Sequence, residues 1–181
     1  MTTLPNNIAV LKGGPGAERD VSLATGAGVA KALRSLGAEV TEVDVRGDDF
    51  ELPNETELAF IALHGTFGED GQVQQILEDR GVAYTGEGVE ESRIAFDKIL
   101  SKRNFDAAGV ATPAWEVITK GQQPTMALPY VIKAPKQGST VGIYIVKKEN
   151  EVAKALQDAA EYDERLLVEK FVPGRELTVG V

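Results

Sequence analysis

Residues equipped for chemistry fall in three stretches of this sequence. In the first, Gly13-Gly14-Pro15-Gly16 runs into Glu18, Arg19 and Ser22. Where a strand feeds a helix, main-chain NH groups at such a turn can meet an anionic ligand group. The simpler reading is a tight turn that needs positive φ. Glu18 and Arg19 then add a carboxylate and a guanidinium at the mouth of the crevice. In the second stretch, His64 ends an apolar run and leads into Gly65-Thr66-Phe67-Gly68-Glu69-Asp70-Gly71, a glycine-rich acidic loop. A lone histidine is commonly structural, but one on the strand edge that carries Glu18 shares a ligand crevice with it. In the third, Lys133 closes an apolar run ahead of Ala134-Pro135-Lys136-Gln137-Gly138-Ser139-Thr140-Val141-Gly142. Glycine and hydroxyl residues between two strands can lay NH groups over phosphates, or make an ordinary hairpin. Taken alone, Lys98 reads as a solvated helix lysine and Glu169-Lys170 as a surface pair.

These stretches also exclude chemistry. Arg19 stands where a dinucleotide fingerprint wants Gly or Ala, although Asp44 lies at a plausible distance for a ribose-binding acid. A nicotinamide-dependent oxidoreductase is therefore a weak rival. The Walker pattern is absent, and a strand rather than a helix follows the loop after Lys133. With no cysteine and one histidine, a disulfide framework, a thiolate metal site and a histidine-rich metal site are ruled out. The formal net charge of −9 disfavours nonspecific nucleic-acid binding. No run nears the roughly 18 apolar residues that span a bilayer. The start, Met1-Thr2-Thr3-Leu4, has neither the basic nor the apolar region of a leader. The expectation is a cytoplasmic protein without a membrane partner.

The elements that must position these residues follow from the apolar pattern. Ile8–Leu11 reads as a buried parallel strand; Val29, Leu33 and Leu36 recur at helical spacing, with Ser22 as a candidate cap and Gly37 as a stop. Glu39–Asp44 and Leu58–Leu63 read as further strands, Val73, Ile76 and Leu77 as a helix, and Ala83–Thr85 as a short strand. Strands alternating with helices predict a doubly wound parallel sheet. One helix from about Ser92 is expected to carry Ile94, Phe96, Ile99, Leu100 and Phe105, with a domain boundary near residue 95. Beyond Pro113 the pattern turns strand-rich. Trp115–Ile118, Tyr130–Lys133, Ile143–Val146 and Leu166–Glu169 predict an antiparallel sheet, covered by a helix through Val152, Leu156 and Ala159. The expected fold class is thus α/β: a doubly wound amino-terminal domain over 1–95, then an α+β unit over 96–170. Glu176–Val181 reads as a last strand with Leu177, Val179 and Val181 uncovered on one face, the expectation for a chain truncated at the start of a third domain over 171–181.

In order and spacing, Leu11 to Ser22, Phe60 to Gly65 with Gly68-Glu69-Asp70-Gly71, Tyr84-Thr85-Gly86, Phe96-Asp97-Lys98, Gly138 to Gly142 and Val168-Glu169-Lys170 resemble the D-alanine–D-alanine ligases of the ATP-grasp superfamily. The resemblance runs over essentially the whole chain. It implies a cytoplasmic ligase of peptidoglycan precursor synthesis, hence of cell wall biogenesis and cell shape. ATP would phosphorylate the carboxylate of one D-alanine, and the amine of a second would attack the acyl phosphate.

By that resemblance Glu18 receives the ammonium of the first D-alanine, with Val21 and His64 beside the same substrate, and Ser139 links the loop over the phosphates to Glu18. Glu18 and Ser139 would be the catalytic pair. Lys98, Lys133 and Ser139 would meet ATP phosphates; Glu169, Lys170 and the backbone near Val172 would hold adenine, and Glu176 the ribose. Magnesium or manganese would bridge the phosphates with no ligand from this chain, and the full-length protein would be a homodimer. The family commonly has Lys-Pro where this chain has Lys133-Ala134-Pro135, a departure that bears on the stiffness of the loop. Because family metal ligands lie beyond the position matching Val181, the chain alone is expected to be inactive. The alternatives are a relative using another second substrate such as D-lactate, or a noncatalytic nucleotide-binding module.

Overall fold

A computed structural model describes residues 5–177, which divide into two compact units at Asp97 and Lys98. In the first unit β1 (Asn7–Gly13), β2 (Glu39–Val45), β3 (Leu58–Ile61) and β4 (Ala83–Tyr84) form a parallel sheet in the order β2-β1-β3-β4. The alternation along β1 makes the sheet two-sided. Ile8 and Val10 pack against Ala30, Val29 and Leu33 of α1 (Arg19–Ser35). Ala9 and Leu11 face the opposite core, with Val73 and Leu77 of α2 (Gln72–Asp79) and Phe50. Two apolar faces on one parallel sheet is the doubly wound architecture that the strand–helix alternation predicts.

α1 ends as expected: Gly37 has φ +93°, its NH donates to Arg34 O, and the Ala38 NH reaches back to Leu33 O. Its start differs from the expectation, because the N-cap is Glu18 and Ser22 lies inside the helix, fully buried. The Ser22 hydroxyl accepts from the Gly13 NH at 2.8 Å and donates to Ala62 O at 2.6 Å. It closes the turn after β1 onto the end of β3.

The single helix expected from Ser92 onward is two helices, α3 (Val89–Phe96) and α4 (Lys98–Ala107). Asp97 between them is extended, with φ −88° and ψ 105°, and the Lys98 NH donates to Pro135 O, outside the α3 ladder.

In the second unit β5 (Trp115–Thr119), β6 (Tyr130–Lys133), β7 (Ile143–Val146) and β8 (Arg165–Lys170) make an antiparallel sheet in the order β5-β8-β6-β7. α5 (Glu149–Ala159) lays Val152, Ala155 and Ala159 on Ile132, Val146 and Val168 of one face. All four strands and the covering helix lie where the apolar pattern puts them. The expected strand at Glu176–Val181 falls mostly on Thr178–Val181, outside the described residues, while Glu176 and Leu177 lie in no regular element.

The loop after β3 depends on close packing. A Cβ on Gly68 would stand 2.5 Å from Leu63 Cβ and 2.8 Å from its carbonyl carbon, and main-chain atoms yield little. Gly68→Ala is therefore expected to cost about 1–3 kcal/mol, read as a lowered urea midpoint. A midpoint equal to wild type would show that the loop can shift.

Candidate functional site

Each unit carries its own cluster of functional groups. In the first, Glu18 caps α1 at the carboxyl end of β1, on the sheet edge where the chain leaves β3 for His64. A Cβ on Gly65 would meet Glu18 Oε2 at 2.7 Å, and Gly65 itself has φ +66°. Glycine is thus favoured there by its conformation, and the tip of the Glu18 side chain lies against it. Among the described residues Glu18 forms no side-chain hydrogen bond and no ion pair, so no described side chain compensates its charge. The His64 Nε2 lies 3.2 Å from Thr25 Oγ1, and its Nδ1 3.8 Å from Glu69 Oε1. The ring is therefore oriented from both sides, by a helix hydroxyl and by the acidic loop. Val21, one turn into α1, is 58% exposed and offers an apolar contact near Glu18. A carboxylate with no described partner is suited to pair with an ammonium.

Arg19 fills the space that a dinucleotide reading needs. Its guanidinium grips Asp44 through both carboxylate oxygens, at 2.7 and 2.8 Å, and reaches Val45 O at 3.2 Å. Hydrogen bonding from Arg19 holds the Asp44 carboxyl below the ordinary range. The acid that might have read a ribose is already satisfied, and a side chain on Gly13 would strike Arg19 and Asp44. Both features tell against a nicotinamide site.

In the second unit Lys98 opens α4 and is half-buried, not solvated. Its ammonium donates to Gln137 O at 2.6 Å and stands 3.5 Å from Pro135 O. Lys133 closes β6 immediately before the same 134–142 segment, so two cations flank one glycine- and hydroxyl-bearing loop. Ser139 at its tip is exposed, with φ +53°. The Ala134 NH donates to Gly142 O at 2.8 Å across the base of the loop. Proline at that position would lack the donor, so the Lys-Ala-Pro order adds a clasp.

Glu169 is not half of a surface pair. It is 6% exposed, and its two carboxylate oxygens are taken by Lys102 and Lys133. Burial opposes its ionisation, but the hydrogen bonds from the two lysines outweigh it and hold the carboxyl below the ordinary range. Lys170, Val172 and Glu176 are exposed beside and beyond the end of β8, with the Lys170 NH bound to Ala114 O at 2.8 Å and the Phe171 NH to Pro129 O at 3.2 Å.

Two participants lie outside the sequence reading, Lys102 and Thr25; Glu69 enters it only as part of the acidic loop after His64. Lys102 was within reach of that reading, because Lys98 and Lys102 are four apart and share one face of a helix.

Two family models match, "D-ala D-ala ligase N-terminus" over residues 39–87 and "D-ala D-ala ligase C-terminus" over residues 105–181. The D-alanine–D-alanine ligase of Methylacidiphilum infernorum is 44% identical over 178 residues, covering 98% of this chain and 59% of the relative. That of Syntrophotalea carbinolica is 47% identical over 179 residues, covering 96% and 59%. The Bacillus anthracis D-alanine–D-alanine ligase, in a crystal structure complexed with ATP, superposes with a TM-score of 0.80 at 29% identity, covering 94% of this chain and 60% of that one. The chain thus spans about 59% of the length of the curated relatives it matches.

Proposed function

Because the chain belongs to the D-alanine–D-alanine ligase family, we propose that it supplies the first D-alanine site and the nucleotide cradle of an ATP-dependent ligase joining two D-alanines. The γ-phosphoryl group of ATP passes to the carboxylate of the first D-alanine. The amine of the second attacks that acyl phosphate, and the tetrahedral adduct expels phosphate to leave the dipeptide. Glu18 receives the ammonium of the first D-alanine by a charge-assisted contact, beside Val21 and His64. Lys98 and Lys133 spread the negative charge of the phosphates as point charges, with Ser139 on the loop between them. The main chain of Glu169, whose carboxylate is taken by Lys102 and Lys133, holds adenine together with Lys170 and the Val172 backbone, and Glu176 holds the ribose. Residues from about 171 begin a third subdomain.

What carries the reading is the pair of lysines set around the 134–142 loop, one bound to its Gln137 carbonyl and the other at its root. Magnesium or manganese would supply positive charge at the phosphates. Among the described residues no three acidic or imidazole groups gather as metal ligands, and the chain, at about 59% of its relatives' length, is expected to turn over no substrate alone. We assign the complete protein to the cytoplasm as a homodimer serving peptidoglycan precursor synthesis. No helix among the described residues is long and apolar enough to cross a membrane.

Calorimetric titration of ATP into the 181-residue chain tests the cradle. Lys133→Ala is expected to weaken binding at least about tenfold, the scale of one lost phosphate contact. An unchanged titration removes the phosphate assignment.

A further inference from the structure

Lys102 is 4% exposed, and no other lysine among the described residues is buried in this way. It stands one turn beyond Lys98 on α4, and its ammonium donates to Thr112 Oγ1 and, at 3.1 Å, to Pro113 O. It also takes Oε1 of Glu169, while Lys133 takes Oε2. Two ammonium groups on one carboxylate leave a unit of positive charge uncompensated. That surplus surfaces at Lys133, whose side chain is 26% exposed against 5% for Lys102.

We infer that Lys102 is a positioning residue for nucleotide phosphates: by sharing Glu169 it fixes Lys133 and keeps the Lys133 charge available to a phosphate oxygen. Anchored on three acceptors from the 112–113 segment and β8, Lys102 cannot itself reach solvent. It compensates the carboxylate from below, so that Lys133 is free to act above. Without the Lys102 charge, Glu169 has Lys133 as its one counter-ion among the described residues, and the cluster becomes neutral at the place where a phosphate would meet it. This deepens the ATP reading above and rests on it.

The test is calorimetric titration of the 181-residue chain, without added metal, using adenosine, ADP and ATP on wild type, Lys102→Gln and Lys102→Arg. Lys102→Gln keeps a donor for Glu169 but no charge. It is expected to weaken ATP and ADP about tenfold, as loss of one nearby charge would, with adenosine affinity unchanged. Lys102→Arg should restore ATP binding to within about threefold of wild type. A merely structural role would weaken all three ligands alike, and that outcome overturns the inference, as does unchanged ATP affinity in Lys102→Gln. If far-ultraviolet circular dichroism shows Lys102→Gln unfolded, Lys102→Arg decides: normal adenosine binding with lost ATP binding overturns the inference, and wild-type binding of both supports it. Wild-type chain that binds adenosine but not ATP defeats the phosphate reading itself, and the role of Lys102 falls with it.

Discussion

Replacing Glu169 with alanine is expected to destabilise the second unit by about 3–5 kcal/mol, the cost of removing one partner from a buried ion pair. Exposed pairs such as Arg93–Glu90 or Lys154–Asp158 supply far less, because water screens them and their side chains stay mobile. The difference lies in where the stranded charges can go. Lys133, a quarter exposed, can turn its ammonium to water. Lys102 cannot, since its side chain is 5% exposed and its remaining partners, Thr112 and Pro113, are neutral. Trp115, the single tryptophan, is the direct register partner of Glu169 across β5 and β8, so its fluorescence in urea reports the loss locally. The double variant Lys102→Met/Glu169→Leu should recover most of it, because a buried pair replaced by apolar side chains is often close to neutral. Acid adds a second check. The carboxyl of folded Glu169 titrates below its unfolded value, so its contribution is complete above the unfolded value and is lost as pH falls through the folded one. The gap between wild type and Glu169→Ala should therefore narrow under acid. A gap that stays constant or widens would sink the assignment of the cost to the ionised carboxylate.

Strands were legible in this sequence because their apolar runs are short, dense and punctuated by glycine or proline. Helix boundaries were less so. The apolar spacing of Ile94, Phe96, Ile99 and Leu100 continues straight through Asp97, and nothing local marks the break. The break is made by a long-range bond, the Lys98 NH to Pro135 O, which no window of neighbouring residues contains. Ser22 misled for a related reason. A serine near a helix start is a good cap by composition, but its hydroxyl is taken by Gly13 at the end of β1 and by Ala62 just past β3. Charge compensation was the least legible of all. Glu169-Lys170 looks like a solvated pair because adjacent residues on a strand face opposite sides, and sequence alone does not say which side is buried. Asp44 has the spacing of a ribose acid, yet Arg19 holds both its oxygens. The residues suited to chemistry could be found from their types. Which of them are spent on one another could not, because that depends on which distant segments pack together.

Glu18 follows from the same distinction, since its charge is one that the protein has not spent. Glu18→Gln, in a protein extended to the relatives' full length, is expected to lower kcat/KM for the first D-alanine by about 10²–10³-fold, the loss on removing one charge of a hydrogen-bonded ion pair at a binding site. KM for ATP should hold, because Lys98 and Lys133 keep their partners. Stability should fall by no more than about 1 kcal/mol: the carboxylate breaks no ion pair on leaving, and only its favourable place at the N-terminus of α1 is lost. Glutamine keeps the shape that packs against Gly65, so a steric explanation is closed off. The substitution therefore separates two meanings of an unpaired acid at a strand edge. If it waits for a substrate ammonium, activity collapses in a stable protein. If it merely caps a helix, activity survives, and the assignment of the first D-alanine to this crevice fails.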